Sequence, residues 1–139
     1  MLFYATCVAL GDQGVLLTGA SGCGKSDVAL RLIDAGAQLV ADDQVELRVV
    51  DGALTAFAPQ SIAGMFEARH VGLLRLPYRA SAPVALCVAL EPMEAVLERL
   101  PEAENILLLD HPVRHLRLPS YAASTPAKIS AALRYNSEC

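Results

Sequence analysis

The first half of the chain is a series of short apolar runs separated by turn residues. Residues 3–10 and 14–18 are almost continuously apolar, which is typical of buried strands, and residues 11–14 between them favour a hairpin. Apolar side chains then recur three and four positions apart over residues 25–35, a spacing that predicts a helix. Residues 38–41 return to an apolar run and predict a third strand.

The second half mixes further strands with helical segments. Residues 45–49 and 54–57 alternate between apolar and polar positions, and the Asp-Gly pair between them favours a hairpin. Residues 83–90 form an apolar run that predicts another strand. Pro92 opens a predicted helix over residues 93–100, because proline is favoured near a helix start.

Two short strands and a helix are predicted near the end of the chain. Residues 106–109 and 116–118 are apolar runs of strand length. A last helix is predicted over residues 125–134, with Thr125 or Ser124 as its N-cap and a proline in its first turn. Hairpins interleaved with helices predict an α/β fold with a mixed sheet rather than a simple succession of βαβ units.

The composition indicates one compact domain. The 139 residues are 54% apolar and 19% charged, as in a folded globular protein, and the net charge of −4 argues against nucleic acid or an anionic membrane as partner. No apolar run reaches the roughly 18 residues that span a bilayer, and the start of the chain lacks the basic region of a secretion signal. Four scattered cysteines indicate reduced thiols, so we expect a cytoplasmic protein.

A glycine-rich loop lies between the second predicted strand and the first predicted helix. It has the pattern G-x-x-x-x-G-K-S, the P-loop signature of nucleotide-binding proteins. In such loops the glycines let backbone N–H groups turn toward phosphate oxygens, the lysine reaches the terminal phosphates, and the serine hydroxyl binds Mg²⁺. The sequence therefore predicts a phosphate-binding loop made of Gly19, Ala20, Ser21, Gly22, Cys23, Gly24, Lys25 and Ser26.

Two adjacent acids, Asp42 and Asp43, directly follow the third predicted strand. They lie near the P-loop if that strand is the sheet neighbour of residues 14–18. One acid then holds Mg²⁺ through water, and the other takes a proton from an attacking hydroxyl. An ordinary solvated turn accounts for the same pair equally well, and spacing alone does not decide between these interpretations.

For the other charged residues, a solvent-exposed position on the surface is the simplest interpretation. Spacing alone makes Glu67 and Arg69 a surface ion pair and puts Arg99 on a solvated helix face. Arg114 and Arg117 are weaker candidates for holding phosphate. The three histidines lack metal-binding spacing, so no metal site is predicted from them.

Two longer stretches follow a family pattern when they are read together with the P-loop. They are Leu39-Val40-Ala41-Asp42-Asp43-Gln44-Val45-Glu46 and Phe66-Glu67-Ala68-Arg69-His70-Val71-Gly72-Leu73-Leu74. With weaker matches at residues 84–86, 90–91, 98–100 and 112–114, they resemble the catalytic core of the HPr kinase/phosphorylase family over about residues 4–133. The P-loop alone is shared by many nucleotide-binding proteins, whereas its combination with A-D-D and E-x-R is specific.

The resemblance implies a nucleotide and a metal. In this family, Lys25 and the loop backbone would hold the β- and γ-phosphates of ATP, and Ser26 and Glu67 would help to bind Mg²⁺. Asp42 would be the base that receives the proton of the substrate serine, which leaves Asp43 as the acid for the metal.

Two arginines complete the implied site. Arg69 and Arg99 would stabilise charge on the transferring phosphoryl group. Phosphoryl transfer needs alignment, cations on the equatorial oxygens and a base near the hydroxyl, so the implied roles agree with the chemistry.

The resemblance also implies a fold, an activity and partners. The fold resembles P-loop kinases related to phosphoenolpyruvate carboxykinase, and residues 1–139 would be a single catalytic domain without the family's N-terminal regulatory domain, as in short forms from some proteobacteria. The implied activity is ATP-dependent phosphorylation of a serine on an HPr-like phosphocarrier protein of a phosphotransferase system, with phosphorylase activity as the reverse reaction. The family also implies a homo-oligomer, commonly a hexamer.

Several positions depart from the family pattern. Tyr4 stands where the family usually has a histidine, His70 replaces a glycine, and Arg75 stands where an acid is common. Residues 115–118 replace a segment that the family links to dephosphorylation. A phenol titrates near pH 10 and cannot replace imidazole as a proton partner. Two alternatives therefore stay open: a small-molecule P-loop kinase and a non-catalytic ATP-binding switch.

Overall fold

The structure is a computed structural model, and it describes residues 1–135. The first part contains β1 (Leu2–Phe3), β2 (Thr6–Leu10), β3 (Gln13–Thr18), α1 (Lys25–Asp34), β4 (Gln38–Ala41), β5 (Val45–Val50) and β6 (Ala53–Phe57). After a short 3-10 helix at Gln60–Ile62, the chain forms β7 (Met65–Ala68), β8 (Gly72–Arg75), β9 (Ser81–Glu91), β10 (Glu104–Leu108), β11 (His111–Pro119) and α2 (Thr125–Arg134).

One mixed sheet of nine strands forms the centre of the described residues and is organised around β9. The strand order is β1-β5-β6-β9-β3-β2-β4, and β11, which carries β10, also pairs with β9. β9 is parallel to β3 and β11 and antiparallel to β6. Because β3, β9 and β11 run the same way, their carboxyl ends meet at one edge of the sheet, where ligands commonly bind in open α/β sheets. The predicted mixed sheet is confirmed.

Alternating side chains of the central strands build a hydrophobic cluster on each face of the sheet. Val15 and Leu17 pack with the buried side chains of α1, Val28 and Leu32 among them. Leu16, between them on β3, belongs to the other cluster, which includes side chains of β5 and β6. Each fully buried aliphatic side chain contributes about 1.5–3 kcal/mol. The alternation fixes the register, because a shift of one residue would exchange the two faces.

The first predicted strand is broken in two. Phe3 pairs with Val45 of β5, whereas the residues from Thr6 onward pair with β3 and β4. Tyr4 and Ala5 lie between β1 and β2. The run is interrupted because the chain changes its strand partner at this point, which an apolar pattern does not reveal.

The predicted helix over residues 93–100 is wrong. Residues 92–103 contain no helix, and the Ala95 N–H donates to the Pro92 carbonyl at 3.1 Å in a single turn. The side chain of Val96 is 97% exposed, so the apolar positions of this segment have no surface to pack against. A short helix gains most of its stability from such packing, and without it the pattern is insufficient.

The remaining differences concern residues 62–76 and the start of α2. Residues 62–76, a segment without a predicted element, contain the β7–β8 hairpin, which is separate from the main sheet. α2 begins at Thr125 as predicted, with Ser124 at the N-cap position. Neither side chain caps the helix, and the Thr125 hydroxyl donates instead to the Pro119 carbonyl. Among residues 1–135, no helix is long and apolar enough to cross a membrane.

Candidate active site

The glycine-rich loop leaves β3 at the edge where β9 and β11 also end, and it leads into α1. Three of its glycines have positive φ angles: 147° at Gly19, 79° at Gly22 and 104° at Gly24. Residues other than glycine rarely adopt such φ angles. A Cβ atom on Gly19 would lie 2.6 Å from Cys23 Sγ. The loop therefore has a backbone that glycine alone accommodates, as a phosphate-binding cradle requires.

Lys25 is the first residue of α1, and its side chain turns back over the loop. Its ammonium donates to the Gly19 carbonyl at 2.9 Å and to the Ala20 carbonyl at 3.2 Å. Both acceptors belong to the loop itself, so the charge stays at the mouth of the cradle. No packing in the core depends on this side chain.

The carboxylate of Asp42 accepts three hydrogen bonds from three different elements. Its Oδ1 accepts from Ser26 Oγ at 3.0 Å and from Thr6 Oγ1 at 3.1 Å, and its Oδ2 accepts from the Glu67 backbone N–H at 3.1 Å. Ser26 lies in α1, Thr6 begins β2 and Glu67 lies in β7. These bonds fix the carboxylate beside the P-loop serine, since bonds to an ionised acceptor are the stronger ones.

The strand order corrects the premise on which Asp42 was expected near the P-loop. β4 pairs with β2 and not with β3, so β2 separates the two strands. Because β2 is antiparallel to both, β3 and β4 run the same way and end at the same edge. Asp42 reaches Ser26 past the start of β2, where Thr6 bonds to the same carboxylate oxygen.

Asp43 lies in an ordered turn and not in a freely solvated one. Its φ is 69°, its N–H donates to Thr6 Oγ1 at 3.2 Å, and the Gln44 N–H donates to the Asp42 carbonyl at 2.8 Å. This turn sends the two neighbouring acids to different surroundings. Asp42 is half-buried and accepts three hydrogen bonds, whereas Asp43 is exposed.

A cleft of about 310 Å³ joins these groups. Besides the P-loop, it is lined by Asp42, Asp43, Glu67, Arg69 and Tyr121. Across residues 1–135, no three His, Cys, Asp or Glu side chains cluster as a metal site of their own. The carboxylate and hydroxyl oxygens of the cleft instead suit Mg²⁺, which takes one or two protein carboxylates together with phosphate and water.

The structure separates the predicted arginines. Arg69 lines the cleft, whereas Arg99 lies in the segment without a helix and does not line it; its catalytic role stays a prediction. Arg114 donates to the Ala132 carbonyl of α2 at 2.7 Å, and Arg117 binds Glu91 at 3.4 Å and Glu104 at 3.2 Å. Neither of the latter two lines the cleft, so they link elements of the fold.

Two residues of the site escaped sequence reasoning. Thr6 bonds to Asp42 although 36 positions separate them, and Tyr121 bonds to Gly22 although 99 positions separate them. A threonine at the start of a strand carries no distinguishing signal. Tyr121 follows the carboxyl end of a strand, which is a weak signal that becomes useful only when the strand order is known.

The cysteines of the described residues are free thiols. Burial raises the pKa of Cys7 to about 12 and that of Cys87 to about 11, so both stay protonated at neutral pH. Cys23 is half-buried inside the loop. Cys139 lies outside the described residues.

Comparison with known proteins identifies the family. The family model of the HPr Serine kinase C-terminal domain matches residues 2–137. The chain belongs to this family. The HPr kinase/phosphorylase of Clostridium acetobutylicum is 36% identical over 147 aligned positions, which cover 96% of this chain and 48% of that protein. The HPr kinase/phosphorylase of Clostridium kluyveri is 37% identical over 116 positions, which cover 76% and 38% of the two chains.

A solved structure supports the same family assignment for the fold of this chain. The Hpr(Ser) kinase/phosphatase from Coxiella burnetii superimposes with a TM-score of 0.84 at 25% identity, covering 96% of this chain and 88% of that one. The family resemblance seen in the sequence is therefore confirmed. The chain spans about half or less of the length of the two clostridial relatives. The further resemblance to phosphoenolpyruvate carboxykinase stays a prediction.

Proposed function

We propose that this chain transfers the γ-phosphoryl group of ATP to a serine of an HPr-like phosphocarrier protein, and that it also catalyses the reverse phosphorylase reaction. The observation that supports this proposal most strongly is the position of the Asp42 carboxylate. It lies 3.0 Å from the P-loop hydroxyl of Ser26, in the same cleft. Family membership and the names of the clostridial relatives support the choice of substrate.

The residues of the cleft fit a nucleotide with Mg²⁺. The positive φ angles of Gly19, Gly22 and Gly24 suit a backbone that wraps around phosphate oxygens. The Ser26 hydroxyl and the exposed carboxylates of Asp43 and Glu67 would hold the metal. When bound, Mg²⁺ neutralises charge on the phosphates.

Asp42 is the acceptor for the substrate proton. An ionised carboxylate has about four lone-pair sites, and Asp42 uses three of them for Ser26, Thr6 and the Glu67 N–H. The remaining site accepts the proton of the attacking serine hydroxyl. Since three bonds fix the carboxylate, it loses little freedom when the substrate arrives.

Lys25 and Arg69 provide the positive charge that the reaction needs. When ATP binds, the Lys25 ammonium exchanges its hydrogen bonds to loop carbonyls for bonds to phosphate oxygens. These bonds are stronger because the phosphate oxygens are charged. Arg69 follows β7, which carries Glu67, lines the cleft and is exposed, so its guanidinium can turn toward the equatorial oxygens.

The test is mass spectrometry of an HPr-like protein after incubation with this chain, ATP and Mg²⁺. We expect one added phosphate on a serine, and its removal when the phosphorylated protein is incubated with the chain and inorganic phosphate. A panel of nucleosides and metabolites is assayed in parallel. If a nucleoside or metabolite of the panel were phosphorylated and the HPr-like protein were not, the result would favour a small-molecule kinase.

A non-catalytic ATP-binding switch is the second candidate, and Tyr4 favours it. Tyr4 is 69% exposed and lies between β1 and β2, close in sequence to Thr6. A phenol at this position leaves Asp42 without an imidazole as proton partner. ATP binding without transfer, unchanged by Asp42→Ala, would support the switch, whereas transfer that Asp42→Ala abolishes would exclude it.

The proposal extends to the assembly and location of the protein. We expect a cytoplasmic homo-oligomer, as the family resemblance implies a hexamer. Light scattering on a size-exclusion column measures the mass directly, against 14.7 kDa for one chain. A monomeric mass at all accessible concentrations would contradict the oligomer.

A further inference from the structure

The side chain of Tyr121 lies beside the P-loop and lines the same cleft as the acids. Its hydroxyl donates to the Gly22 carbonyl at 3.3 Å. Its Cε1 would be 3.8 Å from a Cβ atom built on Gly24, so the ring edge lies near the loop. The side chain is nevertheless 62% exposed and lines the cleft. A large aromatic surface therefore faces solvent at the mouth of the phosphate cradle.

The chain around Tyr121 is held in place from both sides. The Ser120 N–H donates to the Glu91 carbonyl at the end of β9 at 3.0 Å. On the other side, the buried Thr125 hydroxyl donates to the Pro119 carbonyl, and the Thr125 N–H donates to the Ala122 carbonyl at 3.1 Å. The corner from β11 to α2 is thus fixed before any ligand arrives, and a fixed platform loses little entropy on binding.

Tyr121 and Asp42 touch different parts of the loop. Asp42 contacts Ser26 and, beyond the loop, Thr6 and Glu67, whereas Tyr121 bonds to Gly22 and lies near Gly24. The acids, the serine hydroxyl and Arg69 are the groups suited to the reacting terminal phosphate. The aromatic ring lies beside Gly22 instead, where it is available to the rest of a nucleotide.

The size of the cleft supports this division. A volume of about 310 Å³ is at the lower limit of small-molecule sites, so the cradle holds the phosphates and leaves the nucleoside at its rim. An exposed aromatic ring at that rim offers a flat apolar face, and bases stack on such faces. Within the cleft lining, Tyr121 is the aromatic side chain at the rim.

We propose that Tyr121 is the platform on which the base of ATP stacks, and that it sets the affinity for the nucleoside independently of the phosphates. The inference rests on the proposed function, because it requires ATP in the cleft. The ring does the binding, and the hydroxyl bond to Gly22 only orients it.

Calorimetric titration of the whole chain with ATP and with inorganic tripolyphosphate, both with Mg²⁺, separates the two parts of the ligand. Tyr121→Ala should weaken ATP binding about 10- to 100-fold, the usual effect of losing one base–aromatic stack, and leave tripolyphosphate binding unchanged. Tyr121→Phe should keep ATP binding within about threefold, since it loses only one exposed hydrogen bond. Tyr135→Ala, at a tyrosine 68% exposed and away from the cleft, is the matched control.

A fluorescence probe gives an independent measurement. The chain contains no tryptophan, so Tyr121→Trp introduces one indole at the proposed platform. ATP should quench or shift its emission, and tripolyphosphate at saturation should not. Tyr135→Trp should respond to neither ligand.

The outcomes distinguish the inference from the proposed function. Wild-type chain that binds neither ATP nor tripolyphosphate overturns both. Normal wild-type binding with ATP affinity unchanged in Tyr121→Ala overturns the inference alone. Equal weakening of ATP and tripolyphosphate in Tyr121→Ala, or a loss in Tyr121→Phe as large as in Tyr121→Ala, also overturns it, because Tyr121 would then act by shaping the loop at Gly22.

Discussion

Asp42 combines two properties that a base in phosphoryl transfer needs. It is fixed by donors from α1, β2 and β7, and it still has one acceptor site toward the cleft. An amide at the same position keeps the shape of the side chain but cannot accept the substrate proton. The substitution also replaces one acceptor oxygen with an NH2 group, so ATP affinity is measured beside transfer to separate the loss of the base from a change in the site.

We expect Asp42→Asn to lower phosphoryl transfer about 10²- to 10⁴-fold, the usual contribution of general base catalysis, and to keep ATP binding. The measurement is transfer rate by mass spectrometry, with ATP affinity by calorimetry. Asp51→Asn, in the exposed β5–β6 turn, is the matched control. If nucleotide affinity were lost instead, Asp42 would belong to the metal site.

Lys25 serves charge and not packing, because its ammonium contacts only loop carbonyls. Lys25→Ala should lower transfer by about 10²- to 10³-fold or more, while the free energy of unfolding stays within about 0.5 kcal/mol. Lys128→Ala, at the other lysine of the chain, is the control and lies on an exposed position of α2. Unchanged turnover in Lys25→Ala would contradict the assigned role of the loop.

At the scale of the elements, the β7–β8 hairpin supplies one wall of the cleft although it is not part of the main sheet. Phe66 of β7 is fully buried in the cluster that contains Val28 and Leu32 of α1. Its neighbour Glu67 donates a backbone bond to Asp42. One aromatic side chain thus docks the hairpin that carries Glu67 and is followed by Arg69.

Phe66→Ala should lower the free energy of unfolding by about 3–5 kcal/mol, the cost of removing a buried phenylalanine. Urea denaturation measures this cost. Leu73→Ala, on the same hairpin but 64% exposed, should change it by less than about 0.5 kcal/mol. Equal effects of the two substitutions would mean that Phe66 does not dock the hairpin.

The β10–β11 pair is joined by a charge cluster that makes stability depend on pH. The buried His115 ring lies 2.9 Å from Glu104, and Arg117 also binds Glu104. The hydrogen bond to His115, followed by the charge of Arg117, holds the pKa of Glu104 below its ordinary value of 4.5. At pH values between the lowered pKa of Glu104 in the folded chain and its ordinary value, the unfolded chain binds more protons than the folded one.

Glu104 should therefore stabilise the fold fully above about pH 4.5, and this contribution should disappear as the pH falls through the lowered pKa. Urea titrations of wild type and Glu104→Gln between pH 3 and 7 measure it. We expect the difference in the free energy of unfolding between wild type and Glu104→Gln to become smaller toward low pH. A difference that grows on acidification would contradict the sign of the shift.

At the scale of the whole molecule, local patterns were sufficient for the P-loop and for most elements. The strand, loop and helix over residues 14–35 follow from apolar runs and glycine positions alone, as does the hairpin with Asp51 at its turn. The fold class also follows, because hairpins interleaved with helices require a mixed sheet. These features depend on residues that are near one another in the sequence.

The rest depends on strand order, which no local pattern encodes. The break at Tyr4, the position of β2 between β3 and β4, and the approach of Tyr121 to Gly22 all depend on pairings between distant segments. The wrong helix prediction around Val96 also reflects tertiary structure, because the apolar positions of that segment do not pack against another element. Family resemblance indicated the acids, and the geometry then explained how Thr6 and Ser26 hold Asp42.

The central position of β9 has a consequence for hydrogen exchange. β9 pairs with β3, β6 and β11, so its amide protons become accessible only when the entire domain unfolds, whereas those of the β7–β8 hairpin exchange through a smaller local opening. The phosphate loop therefore follows β3, which pairs directly with this protected strand, whereas Glu67 lies on the less protected hairpin. Deuterium uptake should divide the cleft into a slowly exchanging wall and a rapidly exchanging wall.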